Sequence, residues 1–423
     1  MTGGKKNRST AGQRPDGDGD RDRSQPRKPL ERLLYEAAEE FSGSRVLCTS
    51  TAGAQAAAQV ARLKPDTHVV CNYFDIFLAE SARRHQHDLP NLEITCQADL
   101  PAGDADCVAL TLPARGENGV ARELIQTARQ RIGETGRLFA STDNPGDSWV
   151  HQQLRDAFGK VTNREAKDGR LYIASRPKPL KKIREFQAWF AFRDQGHLFD
   201  VRSRPGVFSH RKLDLGARAL IESLSVPDGP YAGEAVQDGF KVLDLGCGSG
   251  AVGFAASARA DSVTVHALDA NVRAIECARS GANKNTLCGY TTQLECRGEC
   301  KGSGSFDLVL ANPPYFSNYR IAEVFLKAAK RALRPGGRTH FVTKQPKWYV
   351  DAFAATFTDV SVREVRSYFI IKGTQPERPV RKRRSSSDQS AATQQGSASG
   401  KRSRSESSRK PPEHSSRTRK SGQ

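Results

Sequence analysis

The sequence predicts an α/β protein in which two open, mainly parallel sheets follow one another along the chain, each covered by helices. From about residue 42, short β-rich runs alternate with amphipathic stretches, which is the rhythm of parallel strands joined by helical crossovers. After a basic connection near residues 176–182 the same rhythm returns. The two halves also match in sequence, because placing Asp106 on Asp307 lays "DCVALTLPA" over "DLVLANPPY". We therefore predict two copies of one fold.

The predicted elements follow the same order in both copies. In the first copy the strands are "SRVLC", "HVVCNYF" and "DCVALTL", and the helices between them are "GAQAAAQVARL" and "IFLAESARR". In the second copy the strands are "KVLDL", "VTVHAL" and "FDLVLA", and the helices are "AVGFAASAR" and "NVRAIECARSGANKN". The match continues downstream, where residues 126–137 lie over residues 327–338 without a gap.

Composition divides the 423 residues into four parts. Residues 1–29 carry eight Lys/Arg against four Asp, and residues 374–423 carry thirteen Lys/Arg against four acids. Neither part has apolar periodicity, so we predict that both are disordered. Residues 30–180 form the first copy and residues 181–373 the second. The basic ends suit either solubilising tails or polycationic arms for phosphate backbones.

Several classes of protein are disfavoured by the sequence. No apolar stretch approaches the ~20 residues of a membrane span, and the first ten residues lack the apolar region of a signal peptide. The nine cysteines are scattered, which suits a reducing compartment. Cys288, Cys296 and Cys300 form a loose group without the further ligands of a zinc set. We expect a cytoplasmic monomer without a metal.

A glycine-rich turn after the first strand of the second copy predicts a cofactor site. In "VLDLGCGSGAVGFAAS", Gly246, Gly248 and Gly250 allow a tight turn and close approach to a ligand, ahead of a helix N-terminus. The spacing alone is compatible with a dinucleotide. Asp244 would instead repel a pyrophosphate and suits a ligand with an ammonium and a sulfonium group. Asp269 ends the next strand, where it can accept hydrogen bonds from ribose hydroxyls.

The glycine turn resembles the first motif of class I S-adenosylmethionine-dependent methyltransferases. That resemblance implies S-adenosylmethionine as cofactor and, with the duplication, two tandem Rossmann-like domains. The first copy is degenerate, since it has Thr49, Ser50, Thr51 and Ala52 in place of the glycine turn. A third acid usually contacts the adenine amine from the loop after the third strand. Here that loop offers Glu295 or Glu299, and we select Glu299.

The sequence "NPPY", residues 312–315, follows the fourth strand of the second copy. Proline cannot continue a central strand, so the motif must leave the sheet beside the cofactor. The side-chain oxygen of Asn312 and the carbonyl of Pro313 can accept hydrogen bonds from an amine, and Tyr315 can stack on a planar substrate. The tetrapeptide resembles the fourth motif of methyltransferases that act on amino groups, which implies Asn312, Pro313 and Tyr315 as catalytic residues.

Residues 202–224, "RSRPGVFSHRKLDLGARALIESL", precede the glycine turn and resemble the same segment of bacterial ribosomal RNA guanine-N2 methyltransferases. The resemblance covers about residues 40–373. It implies ribosomal RNA or a ribosomal subunit as partner, and substrate contacts from Phe208, Ser209 and Tyr315. The basic connection between the copies, "RPKPLKKIR" (residues 176–184), could hold phosphates or simply be a solvated linker.

Two departures and three alternatives stay open at this stage. The family commonly has Phe where Tyr315 stands, and the Asp expected after the third strand is missing. Protein glutamine-N5 methylation and DNA or RNA adenine-N6 methylation are alternatives that use similar motifs. A non-catalytic RNA-binding factor in ribosome assembly is a third, against which the intact Asp244, Asp269 and Asn312 weigh.

Overall fold

The computed structural model describes residue 26 and residues 28–226, 233–234, 236–314 and 319–377. Most of the two basic terminal segments therefore lies outside the described residues, as does Tyr315. The predictions made for those residues are not addressed by the fold.

The first half of the chain forms a seven-stranded sheet with the order β3-β2-β1-β4-β5-β7-β6. Its first five strands are parallel, and β7 pairs antiparallel with both β5 and β6. The strands are β1 (Arg45–Thr49), β2 (His68–Tyr73), β3 (Leu92–Cys96), β4 (Ala105–Thr111), β5 (Ile132–Thr142), β6 (Phe158–Ala166) and β7 (Gly169–Pro177). The helices are α1 (Pro29–Glu36), a short 3-10 turn (Ala38–Glu40), α2 (Gln55–Leu63), α3 (Ile76–His85), α4 (Asn118–Arg131) and α5 (Trp149–Ala157).

A connecting region links the two sheets. It contains an antiparallel hairpin of β8 (Ala188–Asp194) and β9 (His197–Ser203), helix α6 (Leu215–Glu222), and the short strands β10 (Ser225–Val226) and β11 (Gly233–Glu234).

The second half forms another seven-stranded sheet, with the order β14-β13-β12-β15-β16-β18-β17. Its strands are β12 (Lys241–Leu245), β13 (Thr264–Asp269), β14 (Tyr290–Leu294), β15 (Phe306–Ala311), β16 (Leu333–Thr343), β17 (Thr358–Val365) and β18 (Tyr368–Thr374). Its helices are α7 (Ala251–Ser257), α8 (Val272–Lys284), α9 (Arg320–Ala332) and α10 (Pro346–Ala354). Helices on both faces explain why residues 242–245 of β12 are all buried.

The predicted duplication is confirmed by strand order and register. Asp106 and Asp307 make equivalent hydrogen bonds in the two copies. Each carboxylate accepts from a backbone N–H at the start of the first strand of its copy: Asp106 from Ser44 N at 2.7 Å, and Asp307 from Lys241 N at 2.8 Å. The ungapped match downstream also holds, because Arg137 pairs with Cys107 and Arg338 with Leu308. The predicted limits of the two domains remain predictions.

The two copies contact each other through the same corner of each fold. Asp75 and Asn271 form an isolated antiparallel bridge, and each caps the helix that follows the second strand of its copy. Val272 N donates to Phe74 O, and Ile76 N donates to Ala270 O, both at 2.9 Å. The first copy therefore braces the backbone directly after Asp269.

A buried ion cluster lies beside this bridge. Arg204, which precedes α6, is 1% exposed and pairs with Glu123 of α4 at 2.5 Å and with Asp99 at 2.6 Å. Arg273 of α8 is equally buried and reaches the other oxygen of Glu123 at 2.8 Å. Its guanidinium lies over the ring of Phe74, 3.8 Å from the centroid. Glu123 thus compensates two buried cations of the second half of the chain.

Candidate active site

A cavity of about 410 Å³ opens at the carboxyl ends of the central strands of the second sheet. Ligands of open α/β sheets bind at this edge. Most of the predicted site residues line it, namely Phe208, Ser209, Asp244, Gly246, Gly248, Asp269, Asn312 and Pro313. The structure therefore brings together segments separated by more than 100 residues. Gly250 and Glu299 do not line the cavity.

The glycine turn after β12 is necessary for both backbone conformation and space. Gly246 has φ +72°, and a Cβ there would lie 2.6 Å from Cζ of Phe325 on α9. Gly250 has φ +91°, and its Cβ would lie 2.7 Å from Cζ of Phe254. Gly248 has φ +53° with nothing within 4 Å of a built Cβ. Gly250 is thus a packing position at the start of α7, whereas Gly248 leaves room on the cavity side.

Asp244 lies at the end of β12 with its carboxylate buried. Oδ2 accepts a hydrogen bond from Gly253 N at 2.9 Å. Burial, with the charge of Asp269 adding to it, raises the pKa of Asp244 to about 7. A Cβ on Gly253 would lie 2.9 Å from the same oxygen, so this contact depends on glycine in α7.

Asp269 at the end of β13 supplies a second carboxylate, which is half-buried. Oδ2 accepts from Gly248 N at 2.9 Å and Oδ1 accepts from Asn271 N at 2.8 Å. Burial raises the pKa of Asp269, although these two hydrogen bonds oppose the shift. Two carboxylates facing one cavity favour a ligand that carries positive charge and hydroxyl donors. These two acceptors fit the sulfonium, ammonium and ribose groups of S-adenosylmethionine.

The loop after β14 places Glu295, not the selected Glu299, in the cavity lining. The Glu295 carboxylate accepts from Arg297 N at 2.8 Å and from Glu299 N at 2.9 Å. The loop is therefore wound around the Glu295 side chain. Of the two acids that this loop offers for the adenine contact, only Glu295 lines the cavity.

Asn312 and Pro313 follow β15 and face the cavity. Nδ2 of Asn312 donates to Oδ2 of Asp214 at 3.0 Å. Asp214 is the N-cap of α6 and also accepts from Ala217 N at 2.9 Å. Sequence reasoning missed Asp214 as a site residue. The pattern of an Asp before an apolar helical run signals a cap, but it gives no indication of a partner 98 residues away.

The predicted substrate contacts lie at the mouth of the cavity. Phe208 is 61% exposed despite its large apolar ring, and Ser209 follows it with φ +60°. An exposed phenyl ring beside the cavity suits stacking on a planar ligand. Tyr315 lies outside the described residues.

The first copy has lost the corresponding groups. Register places Cys48 where the second copy has Asp244, and Tyr73 where it has Asp269. The Tyr73 hydroxyl donates to Ala52 O at 2.9 Å, which fills the space beside the turn. Thr111, the counterpart of Asn312, has its backbone N bonded to Thr49 Oγ1 at 3.0 Å. These positions now serve packing.

Comparison with known proteins also indicates a methyltransferase. The profile described as "Methyltransferase small domain" matches residues 199–372. A relative from Pseudomonas entomophila, named ribosomal RNA small subunit methyltransferase C, is 30% identical over 286 residues, which cover 65% of this chain and 81% of the relative. A relative of the same name from Chromohalobacter salexigens is 34% identical over 193 residues, covering 44% of this chain and 54% of the relative.

A solved structure is similar over most of both chains. It is the T. thermophilus 16S rRNA N2 G1207 methyltransferase (RsmC) in complex with AdoMet and guanosine. The TM-score is 0.70 with 22% identity, covering 82% of this chain and 92% of that chain. The likeness shows a shared two-sheet fold.

The fold and the two acids beside a glycine turn define a class I S-adenosylmethionine-dependent methyltransferase. Within that class, the chain belongs to the ribosomal RNA small subunit methyltransferase C family. Across the part of the chain that the structure describes, no helix is long and apolar enough to cross a membrane. Among the same residues, no group of three or more His, Cys, Asp or Glu side chains could hold a metal ion.

Proposed function

We propose that this protein methylates the exocyclic N2 amine of a guanosine in small-subunit ribosomal RNA. The observation that carries the proposal is the cavity that Asn312 and Pro313 line together with Asp244 and Asp269. The names of the relatives and of the structural neighbour support ribosomal RNA as the substrate and guanine N2 as the acceptor.

The cofactor supplies an electrophilic methyl group when bound, and the chain supplies positioning. Asp244 and Asp269 favour the cationic ligand and hold its ribose at the glycine turn. Transfer onto an amine from a sulfonium disperses charge, so the reaction depends on alignment and exclusion of water more than on a strong base.

Asn312 and Pro313 would orient the amine. The lone pair of a guanine N2 is delocalised into the ring, so the nitrogen is a weak nucleophile. Hydrogen bonds from its two N–H groups to Asn312 Oδ1 and Pro313 O favour a pyramidal nitrogen whose lone pair points at the methyl group. The new N–C bond forms as the S–C bond breaks, and the proton that N2 then releases passes to solvent.

The target base has to leave its stack to reach this cavity. We propose that Phe208, which is exposed beside the cavity, stacks on the extruded base, and that Tyr315 does the same. We further propose that the protein acts as a monomer in the cytoplasm on ribosomal RNA or on a ribosomal subunit. Glu295 is proposed for the adenine contact.

The test is nucleoside mass analysis of ribosomal RNA from cells with and without the protein. We expect one N2-methylguanosine of the small subunit to disappear with the gene and to return with the wild-type chain, but not with Asn312→Ala. Unchanged N2-methylguanosine together with lost methylation of a protein glutamine or of N6-adenine would overturn the proposal and favour an alternative.

A further inference from the structure

A second cavity, of about 290 Å³, lies beside the catalytic one. Its lining includes Arg122 of α4, Arg184 of the basic connection, and His210 and Arg211 of the segment before α6. The neighbouring residues Phe208 and Ser209 line the catalytic cavity. One continuous segment therefore forms a wall of both cavities.

The backbone conformation of residues 209–211 explains why neighbouring side chains line different cavities. Ser209 and Arg211 both have left-handed backbone conformations, with φ +60° and +69°, so the chain turns sharply twice within three residues. Ser203 Oγ holds the turn, since it accepts from Arg211 N at 3.0 Å and contacts His210 Nδ1 at 2.9 Å. Successive side chains consequently face different cavities.

The second cavity is strongly basic. Three arginines from three separate segments meet there with one acid, Glu185. Arg122 donates to Gln153 and lies 5.4 Å from the ring centroid of Trp149, and Arg211 donates to His210 Nε2. None of the three arginines forms an ion pair with a carboxylate among the residues that the structure describes. Convergent cations without acidic partners favour an anionic ligand.

The backbone of Arg184, which lines the second cavity, is hydrogen-bonded to helix α4. Arg184 N donates to Gln126 Oε1 at 2.8 Å, and Gln126 Nε2 donates to Arg184 O at 3.0 Å. These two bonds attach the basic connection to α4. They hold Arg184 at the cavity that Arg122 and Arg211 also line.

We infer that this second cavity binds the phosphate of the nucleotide next to the one that is methylated, with Arg122, Arg184 and Arg211 as its ligands. The inference rests on the proposed function, because a strand whose guanosine enters the catalytic cavity must pass the shared wall. Phe186, which also lines the cavity, offers an apolar surface to the adjoining sugar or base. The copy without catalytic groups thereby contributes Arg122 to substrate binding.

The experiment uses the full chain and a fluorescent single-stranded RNA with one guanosine. Arg122→Gln, Arg184→Gln, Arg211→Gln and the triple variant are compared with Arg363→Gln, an exposed arginine on the edge strand β17. Each of the three single variants should weaken binding by about fivefold. The triple variant should reduce the slope of log affinity against log salt by about 0.7, because the slope counts phosphates and the three arginines share one. Arg363→Gln should change RNA affinity and the salt slope by less than half of these amounts. The affinity for S-adenosylmethionine should be unchanged in all variants.

A second arm tests the position of the phosphate. The phosphates flanking the guanosine are replaced one at a time by neutral methylphosphonate. One replacement should weaken wild-type binding and should not weaken binding of the triple variant further.

The outcomes separate this inference from the proposed function. If the wild type methylates the RNA while the triple variant keeps wild-type affinity and salt slope, the inference is wrong and the proposed function stands. If an acidic peptide, and not RNA, loses affinity in the triple variant, the cavity has a different ligand and the inference is also wrong. If the wild type methylates no RNA, both fail together.

Discussion

Nδ2 of Asn312 donates a hydrogen bond to Oδ2 of Asp214 at 3.0 Å, across 98 residues of sequence. An ionised carboxylate only accepts hydrogen bonds, so this contact fixes which end of the Asn312 amide faces Asp214. The amide oxygen is thereby turned away from Asp214. Asp214 is therefore a positioning residue for the amine-binding group.

Asp214→Asn should lower kcat by about fivefold while leaving S-adenosylmethionine affinity within about twofold. The amide oxygen of asparagine can still accept from Asn312 Nδ2 and Ala217 N, but a hydrogen bond to a neutral acceptor is weaker by about 1 kcal/mol. Asparagine keeps the helix cap, so folding should be preserved. Single-turnover rates and equilibrium cofactor binding measure the two effects.

The control for this prediction is Asp143→Asn, which changes a carboxylate that accepts from Ala114 N at 2.7 Å in the first copy. It should leave kcat unchanged. In an Asn312→Ala background, Asp214→Asn should have little further effect on kcat. Additive losses in the double variant would show that Asp214 does not act through Asn312.

The raised pKa of Asp244, about 7, predicts pH-dependent cofactor affinity. A cationic ligand favours the ionised carboxylate, so affinity should rise from pH 5.5 to about 7 and then level off. Asp244→Asn should bind more weakly and lose most of this dependence. Isothermal titration across the pH range measures it, and an unchanged profile in the variant would contradict the assignment.

The same group predicts how pH affects the stability of the ligand-free protein. The folded pKa of Asp244 exceeds the unfolded value of about 4, so the folded state binds more protons between these values. The free energy of unfolding should therefore fall as pH rises from about 4 to 7. Because other buried acids titrate too, the measured quantity is the difference between wild type and Asp244→Asn in urea unfolding. The free energy of unfolding of Asp244→Asn should rise relative to that of the wild type as the pH approaches 7.

Gly246→Ala should weaken cofactor binding by tenfold or more and destabilise the fold, because a Cβ there would lie 2.6 Å from Phe325 Cζ at φ +72°. The matched control is Gly239→Ala, which has the same φ of +72° with nothing within 4 Å. In the control, backbone strain should lower the free energy of unfolding by only ~1 kcal/mol, and cofactor affinity should be unchanged. Thermal unfolding and cofactor titration compare them, and equal losses in both variants would show that the Phe325 contact is unimportant.

Glu123→Gln should cost about 3–5 kcal/mol of unfolding free energy, since it removes the charge shared by two buried arginines, Arg204 and Arg273. Glu364→Gln, on the exposed face of β17, should cost less than about 0.5 kcal/mol. Urea unfolding measures both. A small loss in Glu123→Gln would mean that the cluster does not hold the two copies together.

Much of this protein was predictable from sequence because its signals are local. The two-copy architecture followed from strand and helix rhythm and from the match of Asp106 with Asp307. The glycine turn, Asp244, Asp269 and Asn312 each stand at a strand end, and parallel strands bring such ends to one edge of a sheet. For these residues, backbone periodicity and motif spacing were sufficient.

The tertiary structure decided what depends on contacts between distant segments. The loop after β14 winds around Glu295, so the acid nearer the strand enters the cavity lining and Glu299 does not. No periodicity encodes the Asp214–Asn312 hydrogen bond or the docking of Arg204 on Glu123. Sequence determines which side chains stand at strand ends and helix caps, whereas pairing across about 100 residues depends on how the sheets, helices and copies pack, because only packing brings buried polar groups within hydrogen-bonding distance.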